Sequence, residues 1–240
     1  MVMKKSMRFV CLSVFLSLMV TSCTVYHPQA VDIPLINHSG DTRIDASVGA
    51  SMWATLDAIN LNATASHGFN DWLTGQVHVN YGGDNWYGQV APGFYYPLGA
   101  NSVIELYAGY GYGGANRDSD DDKEKFSGHY HLPFGQINFG WHDLTGAHFD
   151  LGFGLKAGAF IPDYEYHKYN SDGTEDLSKY EEYKKTNMLF EPQVMFRVGS
   201  KNVKFNVKAG VAIMSDWMND EANGMIYDVF TGSVGLTFSF

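Results

Sequence analysis

Ten recurrences of a two-residue alternation constrain this chain more than any other feature. The last, TGSVGLTFSF, puts Phe230, Val234, Leu236, Phe238 and Phe240 on one parity and Thr231, Ser233, Gly235, Thr237 and Ser239 on the other. A period of two marks a β-strand whose faces differ in chemistry. From residue 42 on, the pattern predicts strands near 43–52, 59–66, 73–80, 86–97, 104–111, 136–141, 149–161, 188–198, 203–213 and 230–240. The clearest sets Phe149, Leu151, Phe153, Leu155, Ala157, Ala159 and Ile161 against Asp150, Gly152, Gly154, Lys156 and Gly158. Most are long enough to cross a bilayer at a tilt, for which ~9–11 residues are needed.

The connections add direction. Tight, turn-rich links (GFND, LGAN, DLTGA, GSKN) follow the second, fourth, sixth and eighth strands. The long ones, near 114–128, 162–187 and 215–225, follow the fifth, seventh and ninth. Antiparallel strands alternate in direction, so every long loop lies at one end of the sheet. Transmembrane barrels show this asymmetry, with long loops outside and short turns in the periplasm. An even strand number places both ends of the strand region on the short-turn side.

The chain opens with a basic stretch (Lys4, Lys5, Arg8) and a short apolar run, Phe9 to Val20. The run is too short for a spanning helix, which takes ~20 residues, and suits a secretory leader. It closes on Val20-Thr21-Ser22-Cys23, which resembles the bacterial lipobox; the resemblance implies cleavage before Cys23 and its acylation. Cys11 lies in the leader, so the processed chain has no internal disulfide and no cysteine-based metal site. The leader takes three of the 16 Lys and Arg with it and none of the 26 acids. So acidic a chain is unsuited to nucleic acid. No long apolar run follows Cys23, which excludes transmembrane helices from the remainder. The reading divides the chain into a leader (1–22), a lipidated tether (23–41) and a barrel (42–240).

A soluble barrel would alternate too, with its apolar face inward. Three features favour the inverse. The polar faces are mostly Gly, Ser, Thr and Asn, with few of the Lys and Glu that a solvated exterior needs. Trp53, Trp72, Trp86 and Trp141 stand at strand ends, as in an interfacial girdle. The strand ending on Phe240 resembles the C-terminal signature recognised by the barrel assembly machinery. The whole resembles small bacterial outer-membrane β-barrels: an all-β, closed antiparallel transmembrane barrel of about ten strands, with eight as the alternative. The resemblance implies outer-membrane lipids as surroundings and both termini in the periplasm.

The chemistry of such a lumen is legible in part. Asp45, Glu105, Asp150 and Glu191 fall on polar faces with Arg43, Lys156, Arg197, Lys204 and Lys208. Unpaired buried charges are costly, so a mutually neutralising network is expected; the alternative is a pore lining or small-ligand pocket. Open porins use ~16–18 strands, and eight leave room for side chains or one small ligand. Tyr164, Tyr166, Tyr169, Tyr180 and Tyr183 make 162–187 the loop best suited to a surface ligand or glycan. The acidic run 117–125 has Lys123 where a calcium loop needs glycine. His129 and His131 share a strand side, but no third ligand is placed, so neither a metal nor another cofactor is expected. The glycines of GYGYGG (109–114) are expected to make room for bulky lumenal neighbours. Omptin surface proteases resemble this chain in strand number only. Asp84, His129, Asp163 and Asp216 fall near the corresponding rim, but no catalytic residue is assigned and an enzyme is not expected.

Overall fold

The structure is a computed structural model that describes residues 24–26, 32–52, 59–118, 124–145, 148–170, 174, 176, 180–215 and 226–240. Its strands are β1 (Thr24–Tyr26), β2 (Thr42–Met52), β3 (Ile59–Gly68), β4 (Leu73–Gly82), β5 (Asn85–Pro97), β6 (Ser102–Asp118), β7 (Glu124–Leu144), β8 (Phe149–Lys168), β9 (Glu181–Tyr183), β10 (Asn187–Gly199), β11 (Val203–Val211), β12 (Ile213–Met214), β13 (Ile226–Tyr227) and β14 (Phe230–Ser239). Each of β2 to β7 pairs antiparallel with its successor; the order then runs β8, β10, β11, β14, and β14 returns to β2. At this seam Val234 faces Val48 and Ser239 faces Arg43, and the backbones of Thr42 and Phe240 exchange hydrogen bonds of 3.3 and 3.0 Å. The barrel is therefore closed, with ten strands rather than eight; β9 and β12 lengthen the wall at the long-loop rim.

The alternation is inside-out. Val48 is 49 % exposed beside Ser47 at 6 %, and Val79 is 52 % exposed beside Asn80 at 4 %. Outward residues of every barrel strand follow suit, among them Leu61, Val90, Leu106, Ile137, Phe153, Phe190, Phe205 and Leu236. An apolar surface of this extent does not belong in water. Aromatic rings border it at both rims: Trp72 stacks on Phe94 (5.5 Å) near the short turns, and Trp86 packs edge-on to Tyr112 (5.2 Å) near the long loops. Trp141 lies at the short-turn rim against Phe139 (4.5 Å), and Trp53 lies outside the described residues.

Three expectations are corrected. First, β6, β7 and β8 run 17, 21 and 20 residues, so most of the stretch read as loop 114–128, and 162–168 at the start of the stretch read as loop 162–187, are strand. Neighbouring long strands satisfy each other's backbone groups, Arg117 pairing with Phe126 and Phe126 with Tyr166. Second, the upper lumen is aromatic rather than small and polar. Tyr87, Tyr107, Phe126, Tyr130, Phe134, Phe160 and Tyr164 are buried in one cluster. Gly113 makes room there as expected, because a Cβ at that position would lie 2.6 Å from the Tyr130 ring. Third, residues 32–36 are no solvated tether but run inside the barrel, although 38–40 are exposed at the short-turn rim.

Candidate functional site

Entering from the short-turn rim at Thr42, the chain read backwards passes up the lumen. Ile36, Leu35 and Ile33 are 0–2 % exposed and pack with Tyr95, Val103 and Met195 of the wall. The wall is hollowed to take them. A Cβ on Gly140 would lie 2.7 Å from Leu35 Cδ2, one on Gly152 2.7 Å from Ile33 Cγ2, and one on Gly68 2.9 Å from Ile36 Cγ2. Backbone groups are met by buried side chains. Glu105 accepts from the Ile36 N–H (2.7 Å), and Arg197 donates to the carbonyls of Pro34 (3.1 Å) and Ile33. Leu35 holds φ at +59°, a left-handed conformation that costs a branched residue roughly 1–2 kcal/mol. These contacts on both sides fix the kink.

Asp32 sits mid-lumen, 2 % exposed. Its carboxylate accepts from Thr64 Oγ1 (2.6 Å) and Gln89 Nε2 (2.8 Å) and lies 3.3 Å from His78 Nδ1. Its carbonyl accepts from Gln136 Nε2 (2.6 Å) and Asn138 Nδ2 (3.2 Å). Higher still, Tyr26 of β1 is fully buried in the aromatic cluster, edge-on to Phe160 (5.1 Å) and Tyr130 (5.6 Å). Its hydroxyl donates to Glu191 (2.7 Å). Its strand runs parallel to β13, in the link from β12 to β14 at the long-loop rim.

The nine charged residues expected in the lumen all lie there, but in separate groups rather than one network. Asp150 gathers Lys204 (2.6 Å), Arg197 (3.6 Å) and Arg43 (3.7 Å), and Lys204 also reaches Asp143 (2.9 Å). Asp45 holds Lys208 and accepts from Thr237 (2.7 Å) and Asn206 (3.0 Å). Lys156 donates to Gln89 (3.0 Å) and lies over the Phe134 ring (4.9 Å). Glu105 and Glu191 serve the N-terminal segment. The barrel strands thus bring five cations and, with Asp143, five carboxylates to these groups, and Asp32 supplies a sixth carboxylate from outside the strands. The space left among Asp32, Arg43, Asp45, Arg197 and Lys208 is about 20 Å³, room for roughly one water.

The tyrosines chosen for surface recognition separate. Tyr164 is fully buried, stacked on Phe126 (4.8 Å), because β8 continues through it with the inward parity of Lys156 and Phe160. Tyr166 and Tyr183 pack on the same cluster. Tyr169 and Tyr180 stay half-exposed at the rim. There Tyr180 packs on His167 (5.1 Å), and its phenol is pushed up to about 12 by donating to Glu182. Glu182 also pairs with Lys184 (2.9 Å).

Among the described residues no catalytic constellation is assembled. His129 and Asp163 face each other across strands (4.0 Å) on the barrel's outer side, and Asp216 lies outside the described residues. His131 packs 5.7 Å from His129 and meets the Tyr110 hydroxyl. Among the described residues no group of three or more His, Cys, Asp or Glu could hold a metal ion.

No protein-family model matches the chain, and no curated protein matches it. Among solved structures it is similar to the KdgM porin (14 % identity, 82 % of this chain and 99 % of that chain covered, TM-score 0.39). The same porin in complex with disordered oligogalacturonate gives 15 % identity, the same coverage and a TM-score of 0.39. A bacterial polysaccharide outer membrane secretin gives 10 %, 85 % and 99 %, and 0.21.

Proposed function

We propose that the chain is a non-enzymatic barrel of the bacterial outer membrane, closed by its own N-terminal segment, whose outer rim serves envelope integrity or surface interaction. The occupied lumen carries this reading: residues 32–36 and Tyr26 fill the space that a solute would use. The exposed apolar belt supports the membrane setting, since a spanning sheet must pair every backbone group and therefore close. In this reading the long-loop rim faces outward, Cys23 is the lipobox cysteine, and the strand ending on Phe240 is handed to the barrel assembly machinery. Tyr169 and Tyr180 remain the rim residues open to a glycan or protein.

The purified barrel in planar bilayers is expected to stay silent; discrete conductance steps would overturn closure. Such steps would favour a second reading, a narrow channel or small-ligand barrel lined by Arg43, Lys156, Arg197, Lys204 and Lys208, from which the segment withdraws. The membrane setting has its own test. Val48→Arg, placed on the outer face, is expected to lower stability in lipid by about 2–4 kcal/mol if Val48 lies near the midplane. Val48→Ala should cost less, and equal losses in a urea titration would sink the assignment.

A further inference from the structure

We propose that the N-terminal segment is threaded through its own barrel and leaves at the outer rim, so that Cys23, and any anchor carried there, lies at the cell surface. This rests on the proposed orientation, with long loops outward. The strand count alone puts the start of β2 at the periplasmic rim, and a lipid anchor would be expected beside it. The path of the chain reverses that. Gly40 donates to Gly68 O (2.8 Å) and Asn37 meets His142 (2.7 Å), both at the short-turn rim. Asp32 lies halfway up, between Thr64 and Gln136. Tyr26 meets Glu191, four residues from the upper end of β10, and its carbonyl accepts from Asp228 (3.0 Å) beyond β13. Three depths in sequence order give one direction of travel: upward as the numbers fall. Thr24, the residue that follows Cys23 in sequence, pairs with Ile226 of the outer link.

The path is a built one. Gly68, Gly140 and Gly152 are cut back where Ile36, Leu35 and Ile33 pass, and Thr64, Gln89, Gln136 and Asn138 of the wall all donate to Asp32. A segment lying in the lumen by chance would meet neither provision. The chemistry that the surface end suits is therefore the lipid of the outer leaflet, not that of the periplasmic leaflet.

The test uses the full chain in intact cells, with one epitope tag per variant: between Cys23 and Thr24, after Asn170 in the β8–β9 link, or between Gly99 and Ala100 in the β5–β6 turn. Heat-modifiable migration on gels confirms that each barrel is folded. The tag at 23/24 is expected to bind antibody on intact cells as the Asn170 tag does, while the Gly99 tag binds only after permeabilisation. If the Asn170 tag is exposed and the 23/24 tag is hidden, threading to the surface is wrong and the barrel's orientation stands. If the Asn170 tag is itself hidden, the orientation fails, and threading to the surface fails with it. Should the tag at 23/24 prevent folding, Thr24→Cys with a membrane-impermeant maleimide replaces it. Labelling on intact cells supports the proposal, and labelling only in lysed cells overturns it.

Discussion

Changing Ile33, Leu35 and Ile36 together to alanine is expected to leave the barrel unable to hold its folded form at ordinary growth temperature. Each is 0–2 % exposed against the wall, and one buried Leu or Ile to Ala change costs about 2–5 kcal/mol where the site cannot collapse. A closed wall of ten hydrogen-bonded strands collapses little. The three share neighbours, so their losses will not add strictly. Even so, the lower bounds together approach the ~5–15 kcal/mol that a whole domain holds in reserve. The readout is the temperature at which the compact, heat-modifiable band converts to the unfolded one, together with the urea midpoint in detergent. Midpoints matching the parent would mean that the segment does not occupy the lumen.

A second large effect is expected at Asp150. Its carboxylate is 0 % exposed and is the shared counter-ion of Lys204, Arg197 and Arg43. Asp150→Asn keeps the shape and removes the charge, which leaves Lys204 to Asp143 and takes the paired carboxylate from Arg43 and Arg197. Breaking a buried pair from one side costs about 3–5 kcal/mol, much of it the penalty for the charge left behind. Asp150→Asn combined with Lys204→Met should therefore recover part of the loss. A double variant no better than the sum of the two single changes would show that these charges act independently.

The wall was legible because a strand with two unlike faces writes its orientation into every second residue. From Arg43 to Lys208, each charge on a polar face proved to be lumenal, and no long-range knowledge was needed to place it. Tyr164 was legible by the same rule: it shares parity with Asp150 and Lys156, and continuing β8 past Ile161 would have put it inside. The proline at 162 invited a loop there instead, although its ring is accommodated within the strand. The N-terminal segment was hidden for a different reason. A chain surrounded on all sides has no face, so residues 32–36 carry no period. The available signal was composition: Ile33, Leu35 and Ile36 are large aliphatics that a water-exposed tether has no use for, and they stand beside an isolated Asp32.

The hydrogen-bonded seam between Thr42 and Phe240 bears on the order of biogenesis. Zipping that seam encloses residues 32–36, and beside them the bore retains room for about a single solvent molecule. Laying the segment along the curved sheet before its two edges meet is the route to this arrangement that needs no threading. On that route residues 32–36 act as the mandrel around which the rest is rolled.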